Sequence, residues 1–109
     1  MPVGVFAATP TLNEVNQKVC DRFEMDTVKL AAIMEELRRR KGITETRVAF
    51  GGINTQIKSA DYWVTYAAEA IAYQRNQKYF SKNELKGSLE VLKNKILKAK
   101  GEVSEALNE

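Results

Sequence analysis

Seven apolar residues near the end of the chain, Leu85, Leu89, Leu92, Ile96, Ala99, Val103 and Ala106, recur at steps of four, three, four, three, four and three. A helix turns by about 100° per residue, so this spacing gathers all seven on one narrow face. A strand, with its period of two, would divide them between opposite faces. The seam is about three heptads long, the shortest stretch that counts as coiled-coil evidence. Such a face must be buried against another helix. Two arrangements satisfy it: pairing with a second copy, or packing back on the preceding helix as an antiparallel helical hairpin.

The flanking residues set the ends of that hairpin. Ser81 with Glu84 has the spacing of a capping box and starts the last helix. Ser59 or Asp61 opens the helix before it, which holds Tyr62, Trp63, Tyr66 and Tyr73 and five alanines between positions 60 and 72. Alanine on a helix face allows close approach, and the aromatics supply buried area. Gly87 and Gly101 each cost a helix about 1 kcal/mol relative to alanine. Gly101 follows Lys95, Lys98 and Lys100, which offers a second stopping point and an acidic tail beyond it.

Upstream, Thr11 and Glu14 form another capping box, and Leu12, Val15, Val19 and Phe23 fall on one helical stripe. Asp26 has the chemistry of a second N-cap, able to accept from the amides of Val28 or Lys29. Leu30, Ile33, Met34 and Leu37 follow as an inward stripe. Arg38-Arg39-Arg40-Lys41 then place cations at a helix C-terminus, and Gly42 suits the left-handed residue after it. Residues 43–50 alternate, with Ile43, Val48 and Phe50 among polar neighbours. Gly51-Gly52 is a two-residue hairpin turn, and Ile53, Thr55 and Ile57 form the returning strand. Met1–Pro10, with Val3, Val5 and Phe6, reads as an edge strand or an arm that packs on a neighbouring subunit.

The expected architecture is mainly α with one β-hairpin, in a single domain of 109 residues. Residues 1–10 are an N-terminal arm, 11–58 a helix-turn-helix and hairpin, and 59–109 a helical oligomerisation region. Charge is uneven across it. Residues 1–73 carry nine basic and nine acidic side chains, residues 74–100 carry eight and two, and residues 101–109 carry three glutamates. The basic block can attract phosphate or an acidic partner, or serve as a solvated helix face.

Several function classes are set aside by what is missing. One cysteine and no histidine leave no internal disulfide and no Cys/His zinc cluster. Cys20 sits in an apolar helical run and reads as a buried, inert thiol. No glycine-rich phosphate loop lies between a strand and a helix, the usual general base is absent, and Glu35-Glu36 diverge by about 100°. The expectation is a protein that is not an enzyme, with no cofactor, metal or evident small-molecule substrate. Residues 1–10 have no basic n-region, and no run approaches the roughly 18 apolar residues of a membrane span. A cytoplasmic or virion-associated protein is expected.

From Val19 to Ile57 the order helix, turn, helix and hairpin, with Val19-Cys20 and Phe23-Glu24-Met25 where a first helix would pack and turn, resembles the winged helix-turn-helix family. The passage Leu37-Arg38-Arg39-Arg40-Lys41-Gly42-Ile43 to Arg47-Val48 is similar to that family's step from recognition helix into wing. The resemblance implies double-stranded DNA as partner. Thr27 and Lys29, with Ala31 and Ala32, would then face the major groove. Arg38, Arg39, Lys41 and Arg47 would take phosphates, and Gly51, Gly52 and Asn54 would approach the minor groove. The last two helices would make the dimer interface through Trp63, Tyr66, Leu85, Leu89, Leu92, Ile96 and Val103. The competing expectation is a helical, self-associating assembly or adaptor protein without nucleic-acid binding.

Overall fold

The structure, a computed structural model, describes residues 11–42 and 55–108. They form three helices: α1 (Leu12–Arg40), α2 (Thr55–Arg75) and α3 (Lys82–Leu107). No strand occurs among the described residues. The helices run up, down and up, so α1 and α3 are parallel and α2 is antiparallel to both. All three contribute to one core, which includes Cys20, Met34, Ile57, Ala67, Ile96 and Val103.

The expected break at Asp26 does not exist: α1 continues from Leu12 to Arg40 without interruption. Nothing between these residues forces a stop, since there is no glycine or proline and aspartate costs a helix interior only some tenths of a kcal/mol, about 0.7 at most. The interior positions Asn16, Cys20, Thr27, Leu30, Met34 and Leu37 are all buried on one stripe. Two of the six are polar, so a count of apolar residues splits the seam in two. The Thr27 hydroxyl donates to the Glu24 carbonyl at 2.9 Å, which satisfies it inside the helix. The Asp26 carboxylate faces Lys100 of α3 at 3.8 Å instead of capping.

The helix-turn-helix plus wing is therefore replaced by a helical bundle. Thr55 and Ile57, expected in the wing's returning strand, lie in the first turn of α2, and Ile57 is among the most deeply buried side chains. Ile57, Ala60, Val64, Ala67, Ile71 and Gln74 recur at steps of three and four and form α2's buried face. A short alternation ending at Ile57 overlaps that helical series, and the longer series prevails. The remainder of the expected hairpin, residues 43–54, and the arm, residues 1–10, lie outside the described residues. Ser59 and Asp61 are not caps: the Ser59 hydroxyl donates to Glu102 at 2.6 Å, and Asp61 pairs with Arg38.

The helix ends follow capping chemistry. Thr11 N–H donates to Glu14 Oε1 at 2.8 Å and Glu14 N–H to Thr11 Oγ1 at 3.1 Å, the reciprocal capping box expected. At α3 only half of that box forms. Ser81 accepts from Glu84 N–H, while the Glu84 carboxylate accepts from Phe80 N–H at 3.2 Å. Gly42 adopts φ 64°, the left-handed geometry that favours glycine after a helix. α3 does not stop at Gly101 but runs on to Leu107, because Val103 and Ala106 beyond it are buried in the core.

The heptad seam of α3 is interior to a single chain. Leu85, Leu92, Ile96, Ala99, Val103 and Ala106 are buried, and Leu89 is half-buried. The most extensive helix contact is between α2 and α3, which settles the seam as part of an intramolecular bundle.

Candidate interaction surface

At the level of its N-terminal half, α1 turns Leu12, Val15, Val19 and Phe23 toward α3, which answers with Leu85 and Leu89. The four share one helical stripe as expected, and all are only half-buried. The cause is angular. Asn16 and Cys20, both fully buried, take the innermost direction on α1, and the apolar stripe is rotated by roughly a sixth of a turn toward α3. The result is a long furrow of about 810 Å³ between two parallel helices, with an apolar floor.

Cations border the furrow. On α3, Lys82, Lys86 and Lys93 line it, with Glu90 as the one acidic lining residue. The intervals of four and seven keep these lysines within about 40° of each other on the helix. On α1, Lys18, Arg22 and Lys29 follow the same logic just outboard of Val15 and Val19. All six are exposed, and none makes an ion pair among the described residues. One turn beyond Phe23, Lys100 meets Asp26 and ties α3 to α1.

Asp21 and Glu24, on the other side of α1, hold Arg75 of α2 at 2.7 and 2.6 Å. Beside them, Asn16 Nδ2 donates to the Gln74 carbonyl at 3.0 Å and Gln17 Nε2 to the Arg75 carbonyl at 2.8 Å. These amides bind the C-terminus of α2 from a neighbouring helix, adding a donor to the Gln74 carbonyl, which also accepts from Gln77 N–H at 3.1 Å, and one to the Arg75 carbonyl. Gln74 Nε2 returns a bond to Asn16 Oδ1 at 2.9 Å, closing a buried amide pair. The Cys20 thiol lies 3.9 Å from the same oxygen, and burial pushes its pKa up. The thiol is buried, as expected.

Two further features stand apart from the furrow. A wider groove of about 990 Å³ lies between the end of α2 and the start of α3, lined by Tyr66, Tyr73, Phe80, Lys78, Glu84 and Lys95 among others. Its walls mix both charges, and the Tyr79 hydroxyl contacts Ser88 at 2.8 Å. At the other end of α3, Glu102 accepts from Ser59 at 2.6 Å and Gln56 at 2.9 Å and meets Lys98 at 3.0 Å. Those bonds, Ser59's first, hold its carboxyl down to about 2. This cluster joins α2 to α3 and offers no open coordination side. Among the described residues no group of three or more acidic or cysteine side chains is placed to hold a metal ion, and no helix is long and apolar enough to cross a membrane.

Of the residues expected to contact DNA, those among the described residues are not brought together on one face. Thr27 is buried against the core, so it cannot present a hydroxyl to a base. Lys29 is exposed, on the same side of α1 as Lys18 and Arg22. Arg38 pairs with Asp61, and Arg39 and Arg40 both pair with Glu36, which lowers the Glu36 pKa. Lys41 is exposed at the C-cap. Arg47, Gly51, Gly52 and Asn54 lie outside the described residues.

Of the residues assigned to a subunit interface, Trp63 is half-buried against the core. It stacks edge-on with Tyr66 and sits under Lys98, whose Nζ is 5.3 Å from the ring. Leu85, Leu92, Ile96 and Val103 are interior, and Leu89 faces the furrow. Lys82, Lys86, Lys93, Lys18 and Arg22 were not singled out as site residues. Their signal was available, because each lies one step outboard of an apolar stripe, but only against a correct core direction. Comparison with protein-family models, with curated proteins and with solved structures finds no match to this chain.

Proposed function

We propose that the chain is a non-enzymatic helical adaptor or assembly component, which works by offering the furrow between α1 and α3 to a helix of another protein. The observation that carries this reading is the half-covered apolar floor formed by Leu12, Val15, Val19, Phe23 and Leu89 beside the buried Leu85. Apolar side chains left part-exposed in a concave strip are what helix-in-groove recognition uses. The test is a pull-down from the source cells with the wild-type chain and with a Val19→Lys, Leu89→Lys variant. A partner retained by the first and lost by the second, with helical content unchanged, supports the reading. Partners indifferent to the variant refute it.

A second reading follows from the six ion-pair-free cations beside the furrow. They would bind the phosphates of duplex DNA, without a recognition helix in the major groove. Counterion release then makes affinity fall steeply with salt, by roughly 0.9 in log–log slope per phosphate neutralised. Duplex titrations at two salt concentrations decide it. Charge reversal at Lys82, Lys86 and Lys93 should flatten the slope, and no duplex binding at low salt ends this reading.

A further inference from the structure

Building on the adaptor reading, we propose that the furrow's occupant is an amphipathic partner helix with acidic flanks, lying antiparallel to α1 and α3 as the fourth helix of a bundle. The floor sets the apolar part. Leu12 and Phe23 are eleven residues apart on α1, a length of about 16 Å, which matches three turns of a partner helix. The rims set the charge. Lys18 and Arg22 on one side and Lys86 and Lys93 on the other are exposed and carry no ion pair among the described residues, so glutamates or aspartates flanking the apolar stripe meet cations along both edges. Glu90 is the one lining residue that opposes them.

The shape selects a helix. Two parallel cylinders leave a concave strip that a third cylinder fills, whereas a flat lipid surface would touch the rims and leave the floor uncovered. The direction follows from the helix ends. Thr11 and Ser81 cap the N-termini of α1 and α3 at the same open end of the furrow. A partner whose C-terminus lies there sets its negative end against two positive ones. At the opposite end the Lys100–Asp26 contact bridges the two walls and limits how far the partner extends.

The experiment is display selection on the full chain with a library of helical peptides that share an apolar stripe and carry glutamate, lysine or serine at the flanking positions. Binders should be enriched at least tenfold in glutamate flanks over lysine flanks. A Lys82→Glu, Lys86→Glu, Lys93→Glu variant, altered only at exposed positions, should invert the preference, and Val19→Glu with Leu89→Glu should abolish selection. A nitroxide on the C-terminus of a selected peptide should broaden the amide signals of Leu12 and Lys82, not those of Phe23 and Lys93.

Enrichment of lysine or serine flanks, or none above the furrow variant, overturns the acidic occupant. So does broadening at the wrong end for the proposed direction. Three further outcomes also overturn it by naming another occupant. These are binding only to phosphatidylserine vesicles, a doubled solution mass that Leu89→Glu halves, and peptide binding that appears only after deletion of residues 1–10. A natural partner lost in the Val19→Lys, Leu89→Lys pull-down, together with lysine-flanked selection, would leave the adaptor reading standing and remove this one.

Discussion

The two sides of α1 meet their neighbours in different ways. Toward α2, Asn16, Gln17, Asp21 and Glu24 join Gln74 and Arg75 through directional bonds between residues more than fifty positions apart. Toward α3 at the same level, contact is through Leu12, Val15, Val19 and Phe23, none fully covered. Hydrogen bonds fix register and angle, because a buried amide tolerates few alternatives. Aliphatic contacts fix neither, and half-covered ones remain available to another surface. Among the described residues no buried side-chain nitrogen or oxygen lacks a partner, so the α1/α2 side is complete. The α1/α3 side is not.

The largest test of that contrast sets interior against furrow on one helix. Ile96 is 2% exposed and packs in the core, so Ile96→Lys should remove most of the fold's stability, on the order of 4 kcal/mol or more for an unpaired buried charge. Leu89→Lys, on the furrow side, should cost under about 1 kcal/mol, as substitutions at part-exposed sites generally do. Urea unfolding followed by circular dichroism measures both. Equal losses would mean that the furrow is part of the core.

A smaller effect is expected on the amide-bonded side. Asn16→Ala leaves the Gln74 side-chain amide without its acceptor inside the bundle and the Gln74 carbonyl with the Gln77 N–H alone, a loss of about 1–3 kcal/mol for the unsatisfied buried amide. It should also bring the Cys20 thiol within reach of a small alkylating reagent under native conditions, since that thiol's neighbour is removed. Unchanged stability together with slow alkylation would show that the pair does not fix the α1/α2 register. Smaller again, and of opposite sign, is Gly101→Ala. A Cβ there meets nothing within 4 Å, so the helix should gain about 0.5–1 kcal/mol. A loss in the same unfolding experiment would refute the open site.

The same division explains which parts of the molecule can be read from the chain. The α3 seam, the Thr11–Glu14 box, the buried Cys20 and the left-handed Gly42 are legible because each is a local pattern with a local physical cause. The break at Asp26 was misread because Asn16 and Thr27 are polar residues in core positions. Their hydrogen bonds run to Gln74, far along the chain, and to the Glu24 carbonyl within their own helix, and only the former link gives α1 its inward direction. Once that direction is displaced, the stripe at Val15 and Val19 appears to be core, and Ile33 appears inward when it is 38% exposed. The furrow and its lysines depend on the same angle. The +6 segment was visible in composition, but its position beside apolar side chains was not.

The last test concerns the α2/α3 side, where Glu102 takes bonds from Ser59 and Gln56 and meets Lys98. These partners favour the carboxylate, so its folded-state pKa falls from the ordinary 4.5 to about 2. A depressed carboxyl stabilises the fold fully above its unfolded value and loses that contribution as pH falls through the folded one. The wild-type chain should therefore outlast Glu102→Gln above pH 4.5, and the gap between their unfolding midpoints should close as pH is lowered from 4.5 toward 2. Salt should narrow the gap only in part, because the Ser59 and Gln56 bonds are hydrogen bonds and the Lys98 contact alone is an ion pair. A gap that stays constant over that window would mean that Glu102 titrates as an ordinary surface carboxylate, leaving the α2/α3 side held by its apolar seam and by the aromatic contacts of Lys95 and Lys98.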